Sequence, residues 1–199
     1  LNVNNGCGST HVEKLCELVK EKHLDVGFAF DGDADRCIAV DENGKVVDGD
    51  AMMYVLANRL KSRGMLNDDT VVATVMSNSG FFASLKKKGI DCIQTKVGDR
   101  FVYEEMHAHD YAIGGEQSGH IIFSKYATTG DGILTSLKLM EAMLGKEKTL
   151  SQLAEPVQIF PQVLKNIRVK SKIEARSDAD VQASVDAVAA KLGNDGRIL

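Results

Sequence analysis

The sequence contains little that would commit it to nucleic acid, to a membrane or to an oxidising compartment. Basic residues number 24 against 28 acidic ones, for a net charge of -4. Without a concentrated basic surface there is no electrostatic footprint for a phosphate backbone, and nucleic acid is excluded as a partner. The one basic run, Lys86-Lys87-Lys88, falls at the end of a helical pattern, where cations are favoured by the helix dipole. No apolar stretch approaches the length that crosses a bilayer, and the start lacks a basic segment followed by an apolar one, so no membrane partner is expected. Cys7, Cys16, Cys37 and Cys92 show no C-x-x-C spacing, which reads as thiols in a reducing cytosol rather than disulfides or zinc ligands. The expected location is therefore cytoplasmic.

Proline is scarce too, with two residues, whereas 18 glycines punctuate short alternating elements in a chain that is 44% hydrophobic and 26% charged. These are globular proportions, and the alternation is that of an α/β protein. Periodicity predicts a helix over 10–21, a buried strand over 26–30, and a hairpin over 37–47 turning at Asn43-Gly44. From Asp50 onward, helices over 51–63, 81–88, 101–107 and 133–144 alternate with strands over 71–75, 92–97 and 111–114. That order predicts a mixed, largely parallel sheet with flanking helices and functional loops at strand ends. Met52 and Met53 read as core filler. A short helix over 150–159, a boundary near Pro161, a strand over 163–169 and a helix over 180–192 complete the expected organisation. The start at Leu1 and the strand-like end at Gly196-Arg197-Ile198-Leu199 read as cuts through a longer protein.

The strongest chemical signal is Asp31-Gly32-Asp33-Ala34-Asp35-Arg36, directly after the predicted strand. Carboxylates at every second position of an extended loop can converge on one hard cation, magnesium or calcium in preference to zinc. A solvated acidic turn is the plainer alternative. Asp31, Asp33, Asp35 and Glu42 also fall at the first, third, fifth and twelfth positions of a calcium-binding EF-hand loop. Two features oppose that reading: Arg36 stands where the loop needs glycine, and a strand, not a helix, precedes it. Arg36 could meet a phosphoryl group beside the cation, or could simply neutralise its acidic neighbours.

Two further loops carry polar groups. Gly114-Gly115-Glu116-Gln117-Ser118-Gly119-His120, between two short strands, suits hydrogen bonding to sugar hydroxyls, although a structural turn and a satisfied buried His120 fit as well. Lys96-Val97-Gly98-Asp99-Arg100 ends a strand, where Asp99 is either a ligand contact or a helix N-cap. Ser77-Asn78-Ser79-Gly80 and Thr128-Thr129-Gly130-Asp131-Gly132 are similar, and Asp131 reads as an N-cap.

Together these motifs resemble the α-D-phosphohexomutase superfamily, with its Asp-Gly-Asp-Gly/Ala-Asp-Arg metal loop and, about 80 residues later, a Gly-Glu-x-Ser-Gly-His sugar loop. Within it, the form of residues 114–120, with Thr74-Val75-Met76-Ser77-Asn78 and Val97-Gly98-Asp99-Arg100, looks most like the bacterial branch acting on glucosamine phosphate. The resemblance implies a four-domain parent, of which 1–47 would end the second domain, 48–158 would form the third and 159–199 would begin the fourth. It implies phosphate transfer between O6 and O1 of glucosamine through a bisphosphorylated sugar, supplying amino-sugar precursors of the cell wall. Asp31, Asp33 and Asp35 would hold Mg2+, Arg36 would contact phosphate, and Glu116, Ser118 and His120, with Asp99 and Arg100, would contact the phosphosugar. The resemblance also allows a homodimeric parent. The family's phosphorylated serine and its Arg-x-Ser-Gly-Thr-Glu-Pro segment have no match in this sequence, so the chain alone is expected to be inactive. A phosphomannomutase/phosphoglucomutase of the same superfamily, a magnesium-dependent phosphatase using Asp31, and a non-enzymatic calcium or sugar module are the competing readings.

Overall fold

Residues 5–163, 165–193 and 196–198 are described by the computed structural model. The chain divides into two units, Leu1–Phe160 and Pro161–Leu199, and every loop singled out above lies in the first.

The first unit opens with helix α1 (Glu13–Lys22), followed by strands β1 (Val26–Phe30), β2 (Cys37–Asp41) and β3 (Val46–Val47) in an antiparallel sheet of that order. Phe30 pairs with Cys37, so residues 31–36 are the connection between two adjacent strands. Asp41 builds the following turn, its Oδ1 accepting the backbone N–H groups of Asn43 and Lys45, both at 2.9 Å. All five residues of β2 are buried, so this strand is packed on both faces.

Helix α2 (Gly49–Ser62) begins the larger layer, its N-terminus capped by Asp48, whose Oδ1 accepts from Ala51 N–H at 3.0 Å. Strand β4 (Thr70–Thr74), helix α3 (Ser79–Lys87), strand β5 (Asp91–Thr95), helix α4 (Asp99–His109), strands β6 (Ile113–Gly115) and β7 (Ile121–Phe123), and helices α5 (Gly132–Lys146) and α6 (Leu150–Ala154) follow. The sheet runs β5-β4-β6-β7, parallel in its first two pairings and antiparallel in the last, the mixed, largely parallel sheet expected from the alternation. One face packs Val71, Ala73 and Ile113 against Met52 and Met53 of α2, Phe81 and Leu85 of α3, and Leu139 of α5. The other packs Val72 and Ile122 against Val102 and Met106 of α4. Met52 and Met53 are fully buried and fill this core. The parallel strands deliver residues 75–78, 96–98 and 116–120 to one edge of the sheet, where ligands of open α/β sheets gather.

Three expectations are corrected toward the C-terminal part. The helix starting at Leu150 stops at Ala154: Glu155 still has helical dihedral angles, but Pro156 lacks the N–H that would continue the helical hydrogen bonds. The chain then runs extended over the start of α3. Gln158 N–H donates to Ser84 Oγ at 2.9 Å, Phe160 N–H donates to Asn78 Oδ1 at 2.9 Å, and Asn78 Nδ2 donates to Phe160 O at 2.8 Å. Among the described residues of 163–169 there is no strand, and Val163 is 94% exposed without a ladder partner to hold one. Residues 196–198 are likewise not in a strand, and Leu199 lies outside the described residues. The second unit consists of helices α7 (Lys172–Ser177) and α8 (Ala179–Leu192), the latter capped by Asp178.

Asn78 carries a test of the first unit. It is buried, caps α3 by accepting from Gly80 N–H at 2.8 Å, and makes both bonds to Phe160. Asn78→Ala is expected to destabilise the chain by about 1–3 kcal/mol in urea unfolding, since it strands the buried Gly80 N–H and removes both partly buried bonds to Phe160.

Candidate functional site

The loop between β1 and β2 turns at Ala34, which has a φ of 59° in the left-handed region. The turn folds the three aspartates inward, so that one carboxylate oxygen each from Asp31, Asp33 and Asp35 lies within 4.8 Å of the others. Asp31 is also tied to Arg36: its Oδ1 accepts from the Arg36 backbone N–H at 3.1 Å and its Oδ2 lies 3.6 Å from Nη1. Asp35 is the strained member. Its Oδ1 is buried and receives no hydrogen bond among the described residues. Burial, then contact with Asp31 and repulsion from Asp31 and Asp33, push its carboxyl above the usual range, with His120 opposing them. A buried acceptor without a donor, on one of three converging carboxylates, is the arrangement a divalent cation relieves. The donor set fits Mg2+.

The EF-hand alternative fails on structure as well. The loop follows strand β1, and Glu42 turns away to accept the N–H and hydroxyl of Ser151. Burial disfavours charge on Glu42, but these bonds, with Thr149 near, hold its carboxyl below the usual range.

Backbone contacts fasten the acidic loop to the loop between β6 and β7. Arg36 and His120 form an antiparallel bridge, and Cys37 N–H donates to Gly119 O at 3.1 Å. Gly49 N–H donates to Gln117 O at 2.9 Å, and Gln117 Nε2 donates to Asp48 Oδ2 at 3.1 Å. From the other side, Gly132 N–H donates to Ala34 O at 2.9 Å. Gly119 has a φ of 91°, and a Cβ there would stand 2.1 Å from Cys37 O. The approach is closed to any side chain.

The residues singled out in the sequence are distributed as follows. Glu116 is half-buried and its Oε1 accepts from Gly98 N–H at 3.1 Å, joining the 116–120 loop to the turn before α4. Ser118 is exposed at the tip of its loop. His120 is 2% exposed, with Nδ1 3.0 Å from Asp35 Oδ2 and Nε2 accepting from Gly130 N–H at 2.9 Å, so neither ring nitrogen is left for a ligand. Gly98, not Asp99, is the N-cap of α4, and Asp99 Oδ1 accepts from Arg100 N–H at 2.7 Å. Asp99 Oδ2 lies 3.9 Å from His120 Nε2, but that nitrogen is an acceptor and the contact is not an ion pair. Arg100 is exposed and ion-paired to Glu104 at 2.7 Å. Asp131 caps α5 through Leu134 N–H at 2.8 Å, as its position suggested. The sequence reading named the 128–132 loop but gave no role to Gly130 and Gly132, whose missing side chains admit Asp35 O, Arg36 O and the His120 ring. Their signal was the Gly-Asp-Gly spacing.

Residues 48–160 match the family model for phosphoglucomutase/phosphomannomutase, alpha/beta/alpha domain III, and residues 3–44 match that for domain II. The chain belongs to the phosphoglucomutase/phosphomannomutase family. Among its curated relatives, a phosphoglucosamine mutase of Lachnospira eligens is 61% identical over 198 residues, and one of Bacillus subtilis is 53% identical over 199. Each alignment covers 100% of this chain and 44% of the relative, so the chain spans less than half the length of these family members. A solved putative phosphomannomutase of Thermus thermophilus has a TM-score of 0.67 at 26% identity, covering 74% of this chain and 34% of that one. Aspergillus fumigatus N-acetylphosphoglucosamine mutase, solved in complex with GlcNAc-6P and magnesium, has a TM-score of 0.67 at 20% identity, covering 93% and 48%, and shares the fold.

Proposed function

We propose that this chain supplies the Mg2+ loop and the sugar-binding loop of a phosphosugar mutase that interconverts glucosamine 6-phosphate and glucosamine 1-phosphate. The observation that carries the reading is the direct backbone fastening of the Asp31/Asp33/Asp35 cluster to the Glu116–His120 loop. A metal site and a polyhydroxyl-binding loop held at a fixed separation suit a phosphoryl group moving on a sugar. The identity to phosphoglucosamine mutases over the whole chain supports this particular sugar.

In this reading Asp31, Asp33 and Asp35 each give an oxygen to Mg2+, which when bound offsets the charge of the phosphoryl group in flight. The Arg36 side chain is 45% exposed and only loosely held by Asp31, which leaves its remaining N–H donors for phosphate. Ser118 and the free oxygen of Glu116 take sugar hydroxyls, and the exposed Asp99 is a further contact. Arg100 would have to leave Glu104 to join them. His120 acts through Asp35 and not on the sugar. The phosphorylated serine and the phosphate clamp come from other parts of the parent, which we take to divide at residues 47 and 158 and to act in the cytoplasm.

Calorimetric titration with Mg2+, followed by glucosamine 6-phosphate, tests the assignment. Mg2+ should bind in preference to Ca2+, and the sugar phosphate should then shift the amide resonances of residues 115–119. Given glucosamine 6-phosphate and a bisphosphate primer, the isolated chain should show no turnover. Preference for Ca2+, an unmoved 115–119 loop, or turnover by the chain alone would each overturn the proposal.

A further inference from the structure

His120 sits at the centre of the junction between the acidic loop and the sheet, yet its side chain reaches no ligand-accessible space, being 2% exposed. Its hydrogen bonds fix more than its position. Gly130 N–H is a backbone donor and lies 2.9 Å from Nε2, so Nε2 must carry the lone pair. The ring proton is then on Nδ1, 3.0 Å from Asp35 Oδ2, and is donated there. With Oδ2 held in this way the carboxylate cannot turn freely; its Oδ1 is buried without a donor, and the group contributes one oxygen to the cluster with Asp31 and Asp33. Gly130 admits no alternative packing, because a Cβ there would stand 2.7 Å from both Asp35 O and His120 Cε1.

We propose that His120 is a positioning residue for the metal: locked as the Nδ1–H tautomer by the Gly130 amide, it orients the Asp35 carboxylate toward the cation. This rests on the reading of the three aspartates as a Mg2+ site. Outer partners of this kind set the orientation and basicity of the ligand they hold, and their loss typically lowers metal affinity by about 10–100-fold. The arrangement also makes the 128–132 loop part of the metal site, although it supplies no ligand.

Two substitutions separate the halves of the ring. In His120→Asn the side-chain amide nitrogen falls near the place of Nδ1 and keeps the donor to Asp35. In His120→Gln the terminal oxygen falls near the place of Nε2 and keeps the acceptor for Gly130, but the Asp35 donor is gone. Mg2+ titration by calorimetry should give an affinity close to wild type for the Asn variant and about 10–100-fold weaker for the Gln variant. Equal affinities for wild type and Gln, or an Asn variant as weak as Gln, would overturn the positioning role while leaving the metal site standing. Failure of wild type to bind Mg2+ would overturn the metal site itself, and the role with it. Long-range 1H–15N spectra of the wild-type histidine need no variant to fold: they should show Nδ1 protonated and Nε2 bare, and the opposite tautomer would exclude the proposal.

Discussion

Asp33→Asn and Asp35→Asn should each weaken Mg2+ binding by about 100-fold or more, beyond the 10–100-fold typical when only an outer partner of a ligand is lost. An amide offers one neutral oxygen where the carboxylate offered charge, and the cluster has only three carboxylates to give. Calorimetry reads the affinity directly, and thermal unfolding reads it through linkage, because Mg2+ at 100 times its dissociation constant stabilises wild type by about 2.7 kcal/mol. Asp35→Asn should act oppositely without metal. Burial and repulsion among the three carboxylates push Asp35 above its ordinary range, which means that its charge destabilises the metal-free fold. Asp35→Asn should therefore melt higher than wild type in chelator and lower in saturating Mg2+. A variant that melts lower in both would show that Asp35 is a structural residue and not a cation ligand.

Gly119→Ala should cost about 2–5 kcal/mol in urea unfolding, the sum of left-handed backbone strain and of overpacking against a backbone atom. Its Cβ would meet Cys37 O at 2.1 Å, and no rotation of a side chain can relieve a clash with main chain. Gly64→Ala is the internal control. Gly64 has a φ of 65° with nothing within 4 Å of its Cβ position, so it should lose only the strain, about 1–2 kcal/mol. The difference between the two measures how tightly the 116–120 loop is pressed onto β2. Equal costs would mean that the loop moves aside freely, and would undermine a site that depends on its fixed placement.

Much of this architecture could be read from the residues. The aspartates of the acidic loop are recognisable because chemistry that needs three carboxylates on alternating positions leaves a dense local mark. The sheet is recognisable because β4, β5 and the helix α3 between them follow the periods of strand and helix. What escaped was either punctuation or partnership. Pro156 ended a helix whose apolar spacing continued past it, and the sequence of 163–169 had strand character without a strand among the described residues to pair with. His120 was legible as a polar residue in a sugar loop, but its actual partners, Asp35 and Gly130, are 85 and 10 residues away. No local pattern encodes a contact across that separation. Gly130 and Gly132 mark it only by the absence of a side chain.

The fastening of residues 31–37 to residues 116–120 and 130–132 also bears on how such a protein can be recombined. By sequence, the two family domains change over between residues 44 and 48, an apparently clean seam. In space, hydrogen bonds between Cys37 and Gly119 and between Ala34 and Gly132 cross that seam, at glycines that leave no room for adjustment. A chimaera that takes its second domain from one family member and its third from another would join two surfaces never fitted to each other. Exchange becomes workable when the acidic loop travels with the loops that grip it. The unit of inheritance at this site is thus the junction, and neither domain alone.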